Sequence, residues 1–507
     1  MKQNISLFIF VFLLSSMSLG TTIWLPSILS DNMVLQADTN APIWGKAQPN
    51  SQITISCPWN KKGIVTTVQS DDKGKWAANI RTPKKAKQGI ITITCGKDIR
   101  TISNVLVGQV WVCSGQSNMG WPVIKSKDAE EELLKAKNRN IRLFTVKKST
   151  ANEPQEDCFG QWVECDPETV EQFSAVGYYF GKSLYSELHR PIGLINSSYG
   201  GTPAQAWTSK DAFENNSNLK EYLAVDANNE ANKEIFQNQY NIELKEWKNE
   251  VMKAVASGKT APGKPKEPLE LRDNRKCGRL FNAMINPLIP FAIKGAIWYQ
   301  GESNASNAVG YRTLFPAMIA DWRKIWNQGD FPFYFAQLSN YGKVSPQDNW
   351  PLIREAQTMT LALPNTGMAV TMDAGDFNTV HPEDKQIVGT RLAFWALAKN
   401  YGYKKLTYSG PLYKGMKIEG DKIRIFFDYA DGGLKAPKKE TLKGFEIAGN
   451  DKKFLPANVK IDKQTILVWS EDIKNPNAVR YGWANWMPCN LYNMKNLPAS
   501  PFRTDNE

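Results

Sequence analysis

The stretch VWVCSGQSNMGW, residues 110–121, decides the fold. Its apolar half, from Val110 to Cys113, shows no polar alternation, so it reads as a strand buried on both faces, as in a sheet held between two helical layers. The run breaks into Gly115-Gln116-Ser117-Asn118, and IWYQGESNAS, residues 297–306, repeats the event by breaking into Gly301-Glu302-Ser303-Asn304. One of these serines, Ser117 or Ser303, is a candidate for chemistry.

Working outward, apolar runs alternate with amphipathic patterns such as AVGYYFGKSLYSEL (175–188) and HPEDKQIVGTRLAFWALAKN (381–400) over residues 105–400. That alternation is the α/β pattern, and it predicts a parallel sheet with helices on both faces. Residues 21–104 hold short runs, QITIS, GKWAANI and GIITIT, between turn-forming clusters, and predict an N-terminal β-sandwich. Strand signals return after residue 401 in KIRIFFDYA, GFEIAG and TILVWS, predicting a C-terminal β-domain over 401–507. Residues 220–272 read as a charged helix and a Lys/Pro/Gly loop inserted into the α/β unit. A chain of 507 residues suits three parts at roughly 150 residues each.

In a parallel sheet every strand delivers its C-terminal end to one edge, where the loops enclose a common crevice. VWVCS leads to Ser117, and IGLINSS (192–198) leads to Gly200 and Gly201. GAIWYQ (295–300) ends at Gln300, just before Glu302, and MAVTMD (368–373) leads to Asp376 and His381. These are the parts of an acyl-transfer site. A serine hydroxyl is a weak nucleophile until a base takes its proton, and His381 is the fitting imidazole. The oxyanion that forms needs donors already in place: the Ser117 N–H, a Gly201 N–H and the Gln300 side-chain amide.

Each signal alone has a structural reading. A loop serine caps a helix, and a glycine pair makes a turn. Glu302 favours a helix start, and Pro382 suits the first helical position with Glu383 and Asp384 in the first turn. His189 keeps such a role, at a helix C-terminus. Four independent signals at four strand ends favour the chemical reading.

WVCSGQSNM, NSSYGGTPAQAW, WYQGESNA and MDAGDFNTVHPEDKQIVGTRLA resemble the sialate O-acetylesterase family, carbohydrate esterases on the SGNH-hydrolase fold. The likeness extends to LPSILSDNMVLQ and APIWGKA near the start and to NPNAVRYGWANWMPCNLYN and LPASPFRTD near the end. It implies an SGNH-hydrolase-like α/β domain flanked by β-domains, removing acetyl esters from sugars, sialic acid above all, without metal or organic cofactor. Ser117 matches the nucleophile, Gly201 the oxyanion glycine and His381 the base. Gln300 stands where the wider fold offers an asparagine donor. The wider fold often places an acid three residues before its histidine, and here that residue is Asn378. Asp376, Asp373 and Glu302 compete for the orienting role with a backbone carbonyl. Asp376 is preferred because it shares the loop leading to His381. Trp121, Trp207, Trp298 and Tyr299 lie near these loops, as sugar-stacking residues or as core aromatics.

Residues 1–20, with Lys2, an apolar segment from Leu7 to Leu14 and small residues Ser18 and Gly20, read as an export signal, placing the mature protein in the periplasm or outside the cell. No later window has the length of apolar sequence that spans a bilayer, and no cysteine closely follows the signal to carry a lipid anchor. The seven cysteines form an odd set, for which two bridges are expected, Cys57–Cys95 and Cys158–Cys165. With two histidines and no Cys/His ligand spacing, a zinc site is not expected. The net charge of +12 is scattered through mixed-sign segments and reads as solvated surface rather than a nucleic-acid stripe. The rival readings are an acetyl esterase of plant polysaccharide such as acetylxylan, and a carbohydrate-binding protein with a degenerate site. Oligomeric state is left open.

Overall fold

Val110 to Cys113 lie at the end of an 18-residue strand, β1 (Asp98–Gly115), in a computed structural model that describes residues 23–61, 64–343, 345–437 and 440–505. Every residue from Val107 to Gly115 is buried, which explains the absence of polar alternation. The first half of β1 pairs antiparallel with Gln88–Cys95, and the second half pairs parallel with two later strands. One strand thus belongs to both the N-terminal β-layer and the central sheet.

The central sheet continues with β2 (Asn138–Thr145), β3 (Trp162–Cys165), β4 (Ile192–Ser198), β5 (Gly295–Tyr299), β6 (Phe333–Ala336) and β7 (Thr366–Ala369). The spatial order is β7-β6-β5-β1-β4-β2-β3. The sheet is mixed, since all neighbours are parallel except β2 and β3, which makes β3 an antiparallel edge. The chain builds one side of β1 first, through β4, and then the other, from β5 onward. Strand order therefore reverses at β1, and a crevice opens beyond its C-terminal end.

The main helices are α1 (Ala175–Leu188), α2 (Lys233–Ala256), α3 (Ala308–Trp326), α4 (Trp350–Met359) and α5 (Lys385–Asn400). Alternation along β6 sorts three of them. Tyr334 stacks with Trp111 and meets Trp395 of α5, while Trp111 meets Phe180 of α1 edge-on at 5.0 Å. Phe333 and Phe335 point the other way, onto Phe315 and Trp322 of α3. Helices therefore cover both faces. Ser174 caps α1 by accepting from Gly177 N–H at 3.0 Å, and His189 closes it in the left-handed region. Helix α5 starts later than the sequence predicts: Asp384 is its N-cap, accepting from Ile387 N–H at 3.2 Å, which leaves His381 and Pro382 on the loop before it. The insertion folds as Lys220–Ala231 and α2, and α2 buries none of its residues.

C-terminal strands Leu412–Glu419, Lys422–Asp428, Asn458–Asp462 and Thr465–Trp469 form an antiparallel sheet whose Ile423, Ile425 and Val468 join Ile447 and Val479 in a second apolar core. The C-terminal region docks onto α4 through Arg354, fully buried, whose guanidinium donates to Ala484 O at 2.8 Å and Asn485 O at 3.1 Å.

The two expected disulfides are absent, and all seven cysteines are free thiols. Ladder register gives the reason. Ile53 pairs with Cys95 and Ser56 with Thr92, so the two strand ends point oppositely, and Cys57 lies four positions from Cys95 along the ladder, roughly 13 Å. A disulfide needs Cα atoms within about 7 Å. Cys165 pairs with Asn138 at one end of β2, whereas Cys158 adjoins Phe159, whose carbonyl accepts from Lys147 N–H beyond the other end. The expected export signal lies outside the described residues, among which no helix is long and apolar enough to cross a membrane.

Candidate active site

Register assembles the site. Gly115, the last residue of β1, pairs with Ser198 on one side and Tyr299 on the other, so the loops after β1, β4 and β5 leave the sheet side by side. Two hydrogen bonds lock them: Tyr199 N–H to Gly115 O at 3.1 Å and Gln116 N–H to Tyr299 O at 3.0 Å. Against this edge the loop from β7 brings His381 Nε2 to 2.7 Å from Ser117 Oγ. That is hydrogen-bond distance for a base and its nucleophile.

A side chain that the sequence did not single out ties the pair together. Asn118, next to Ser117, donates to Val380 O, next to His381, at 2.9 Å and to Glu302 Oε1 at 2.6 Å, while its carbonyl oxygen accepts from Lys385 Nζ. Lys385 is buried, its ammonium lying over the rings of Trp121 and Tyr299 at 5.6 and 5.5 Å. Desolvation pushes its pKa down to about 7, against the pull of Glu302. Burial likewise raises the Glu302 carboxyl, whose Oε2 is enclosed without a partner among the described residues. Burial, and then the Lys385 charge, lower the His381 pKa and favour the neutral imidazole that a base must be.

The expected donors divide. Ser117 N–H and Gly201 N–H make no hydrogen bond among the described residues, which leaves both available to an oxyanion. Gly201 sits at φ +73°, and a Cβ there would meet nothing within 4 Å, so its backbone faces open space. At Gly200 a Cβ would stand 3.2 Å from Ser117 Cβ, so glycine permits the close approach. Gln300 is not the expected donor. It is fully buried, and its amide donates to Asn304 Oδ1 at 2.7 Å and Thr202 O at 3.3 Å, bracing the turn behind Gly201 from below.

The carboxylate expectations also change. Asp376 accepts from the backbone N–H groups of Asn378 and Thr379 at 2.7 and 3.1 Å, and Thr379 Oγ1 in turn accepts from His381 N–H at 3.1 Å. It shapes the histidine loop rather than touching the imidazole. Asp373 is taken by Arg391 in a two-point ion pair at 2.6 and 2.8 Å, and Glu302 by Asn118. Among the described residues no carboxylate bonds to His381. The ring is held by stacking on Trp121, centroids 4.9 Å apart and 22° from parallel.

The aromatic expectations resolve into structure. Trp207 and Trp298 are fully buried, meeting edge-on at 6.0 Å, and Tyr299 is 1% exposed. All three belong to the core. Trp121 is half-buried and occupied by His381. Ser303 contributes its N–H to Gln116 Oε1 at 3.3 Å. The structure brings together Ser117 and His381, both candidates from the sequence, and adds Asn118 and Lys385, to which the sequence reading gave no role.

A hydroxyl held by an imidazole beside unoccupied backbone donors is the equipment of a serine esterase. Comparison with known proteins fits this class. The family model for carbohydrate esterase, sialic acid-specific acetylesterase, matches residues 107–249 and 271–397. The chain is 32% identical to sialate O-acetylesterase from Rattus norvegicus over 94% of this chain and 93% of the relative. The Homo sapiens protein of that name is also 32% identical, over 94% and 91%. A crystal structure of a carbohydrate acetylesterase from Xanthomonas citri superposes with TM-score 0.79 at 34% identity, covering 96% of this chain and 100% of that one. The chain belongs to the sialic acid-specific acetylesterase family of carbohydrate esterases, and it is an esterase.

Proposed function

We propose that this esterase hydrolyses O-acetyl esters of sialic acid through an acetyl-Ser117 intermediate. The carrying observation is the 2.7 Å contact between Ser117 Oγ and His381 Nε2 at the strand-order reversal. His381 takes the Ser117 proton as Oγ bonds to the acetyl carbonyl carbon. The oxyanion accepts from the N–H groups of Ser117 and Gly201. Collapse breaks the bond to the sugar oxygen, which leaves with the proton from His381. Water, deprotonated by His381, then attacks the acetyl-enzyme, and acetate departs as Ser117 regains its proton. Asp376, Gln300 and Asn118 position these groups without touching the ester. The same reading takes the sheet as the SGNH-hydrolase type, residues 21–104 and 401–507 as flanking β-domains, and residues 1–20 as an export signal.

Acetate release from O-acetylated sialic acid and from acetylated xylan, in parallel, tests the reading. Release from sialic acid that a serine-directed phosphonate blocks by labelling Ser117 is the expected result. Release from xylan alone would move the substrate to plant polysaccharide, and release from neither would leave a binding protein.

A further inference from the structure

The aromatics expected to stack on sugar are all engaged elsewhere, yet two others stand exposed, one of them in the loop that carries His381. Phe377, four residues before His381, is 47% exposed, and Trp486, from the C-terminal region, is 38% exposed. Their rings meet edge-to-face, centroids 5.4 Å apart at 89°, and so form a corner with two apolar walls at right angles. Single exposed apolar residues are ordinary surface. This pair differs in how firmly its backbone is held.

Trp486 lies in a segment pinned on both sides. Arg354 donates to Ala484 O and Asn485 O, and Tyr341 N–H also donates to Asn485 O at 3.1 Å. Asn485 Oδ1 accepts from Trp350 N–H at 3.4 Å, and Asn340 Nδ2 donates to Met487 O at 2.9 Å. A fully buried guanidinium with carbonyls as its hydrogen-bond partners is an unusual device for fixing a surface loop. Phe377 is fixed likewise. Its carbonyl accepts from Gly342 N–H at 3.1 Å, Asp376 shapes the turn beneath it, and a Cβ at Gly342 would come within 2.2 Å of its ring. The backbone that carries each ring is therefore fixed before any ligand arrives, which lowers the ordering cost of binding.

We propose that Phe377 and Trp486 form an aromatic subsite that seats the apolar C–H face of the pyranose whose acetyl ester meets Ser117. The proposal rests on the assignment of Ser117 and His381. The catalytic domain supplies one wall and the C-terminal region the other, so that region completes the substrate site rather than merely capping the fold. A pyranose offers axial C–H groups on one face and hydroxyls at its rim. The corner receives the former and leaves the latter toward the crevice.

The test compares O-acetylated sialic acid with 4-nitrophenyl acetate, which carries the ester without a pyranose. Phe377→Ala and Trp486→Ala are each expected to raise KM for the sugar roughly tenfold, the scale of one well-placed aromatic contact, with kcat held. Turnover of 4-nitrophenyl acetate stays unchanged, and Trp486→Phe keeps most of the sugar affinity. An unchanged KM in both alanine variants overturns the subsite, as does an equal loss on both esters, which would mean damage to the His381 loop. Ser117→Ala in the same assay tests the underlying assignment separately: activity there overturns the nucleophile whatever the aromatic variants do.

Discussion

An imidazole can act as a base only while neutral, and the surroundings of His381 favour that state. Burial and the Lys385 charge both disfavour protonation, so the acid limb of kcat/KM should lie below the ordinary histidine value of about 6.5. Lys385→Met removes a positive charge, so the imidazole protonates more readily and its pKa rises. The acid limb of a pH–rate profile should therefore move upward, and a limb that stays in place would show that Lys385 does not reach the imidazole. Asn118→Ala removes the tie to Val380 and strands Lys385 and Glu302 in a closed space. Each lost partner costs about 1–3 kcal/mol, so calorimetry should record a lower Tm together with a fall in kcat. Ser117, His381 and Gly201 stood out as candidates because chemistry-bearing types followed apolar runs. Lys385 was not, since a lysine among acidic neighbours at a helix start looks solvated until packing encloses it.

Among the secondary-structure elements, pairing register places Ser117. Gly115, Ser198 and Tyr299 lie abreast, so the loop after each strand begins at the same height. Gln300, directly after β5, turns inward, where Tyr311 donates to its Oε1 at 3.0 Å and its amide holds Thr202 and Asn304. Gln300→Ala should therefore lower Tm and reduce activity together, because three buried partners lose their match. Loss of activity without loss of stability would return Gln300 to the oxyanion role. The helix AVGYYFGKSLYSEL was readable to its last residue, because a serine cap and a clean apolar stripe bound it. The start of α5 was not: Pro382 suited a first turn, but Asp384 offers a better cap three residues before Ile387. Which way Trp207, Trp298 and Tyr299 would turn was equally hidden, since position near a site loop does not reveal side-chain direction.

Across the whole molecule, β1 joins the N-terminal layer to the central sheet, and Arg354 joins the C-terminal region to α4. The continuity of one strand through two layers was not legible, because pattern gives strand type and leaves partners open. Cysteine pairing failed for the same reason: similar runs ending in Cys57 and Cys95 suggested a bridge, and antiparallel register separates them. The protein unfolded in guanidinium without reductant should yield seven titratable thiols, and three would restore both bridges. Whether Ser117 or Ser303 is the nucleophile is decided by kcat/KM on O-acetylated sialic acid for Ser117→Ala and Ser303→Ala. Ser117→Ala should lose activity by about 10⁴-fold or more while Ser303→Ala stays near wild type. An inactive Ser303→Ala beside an active Ser117→Ala would contradict the account.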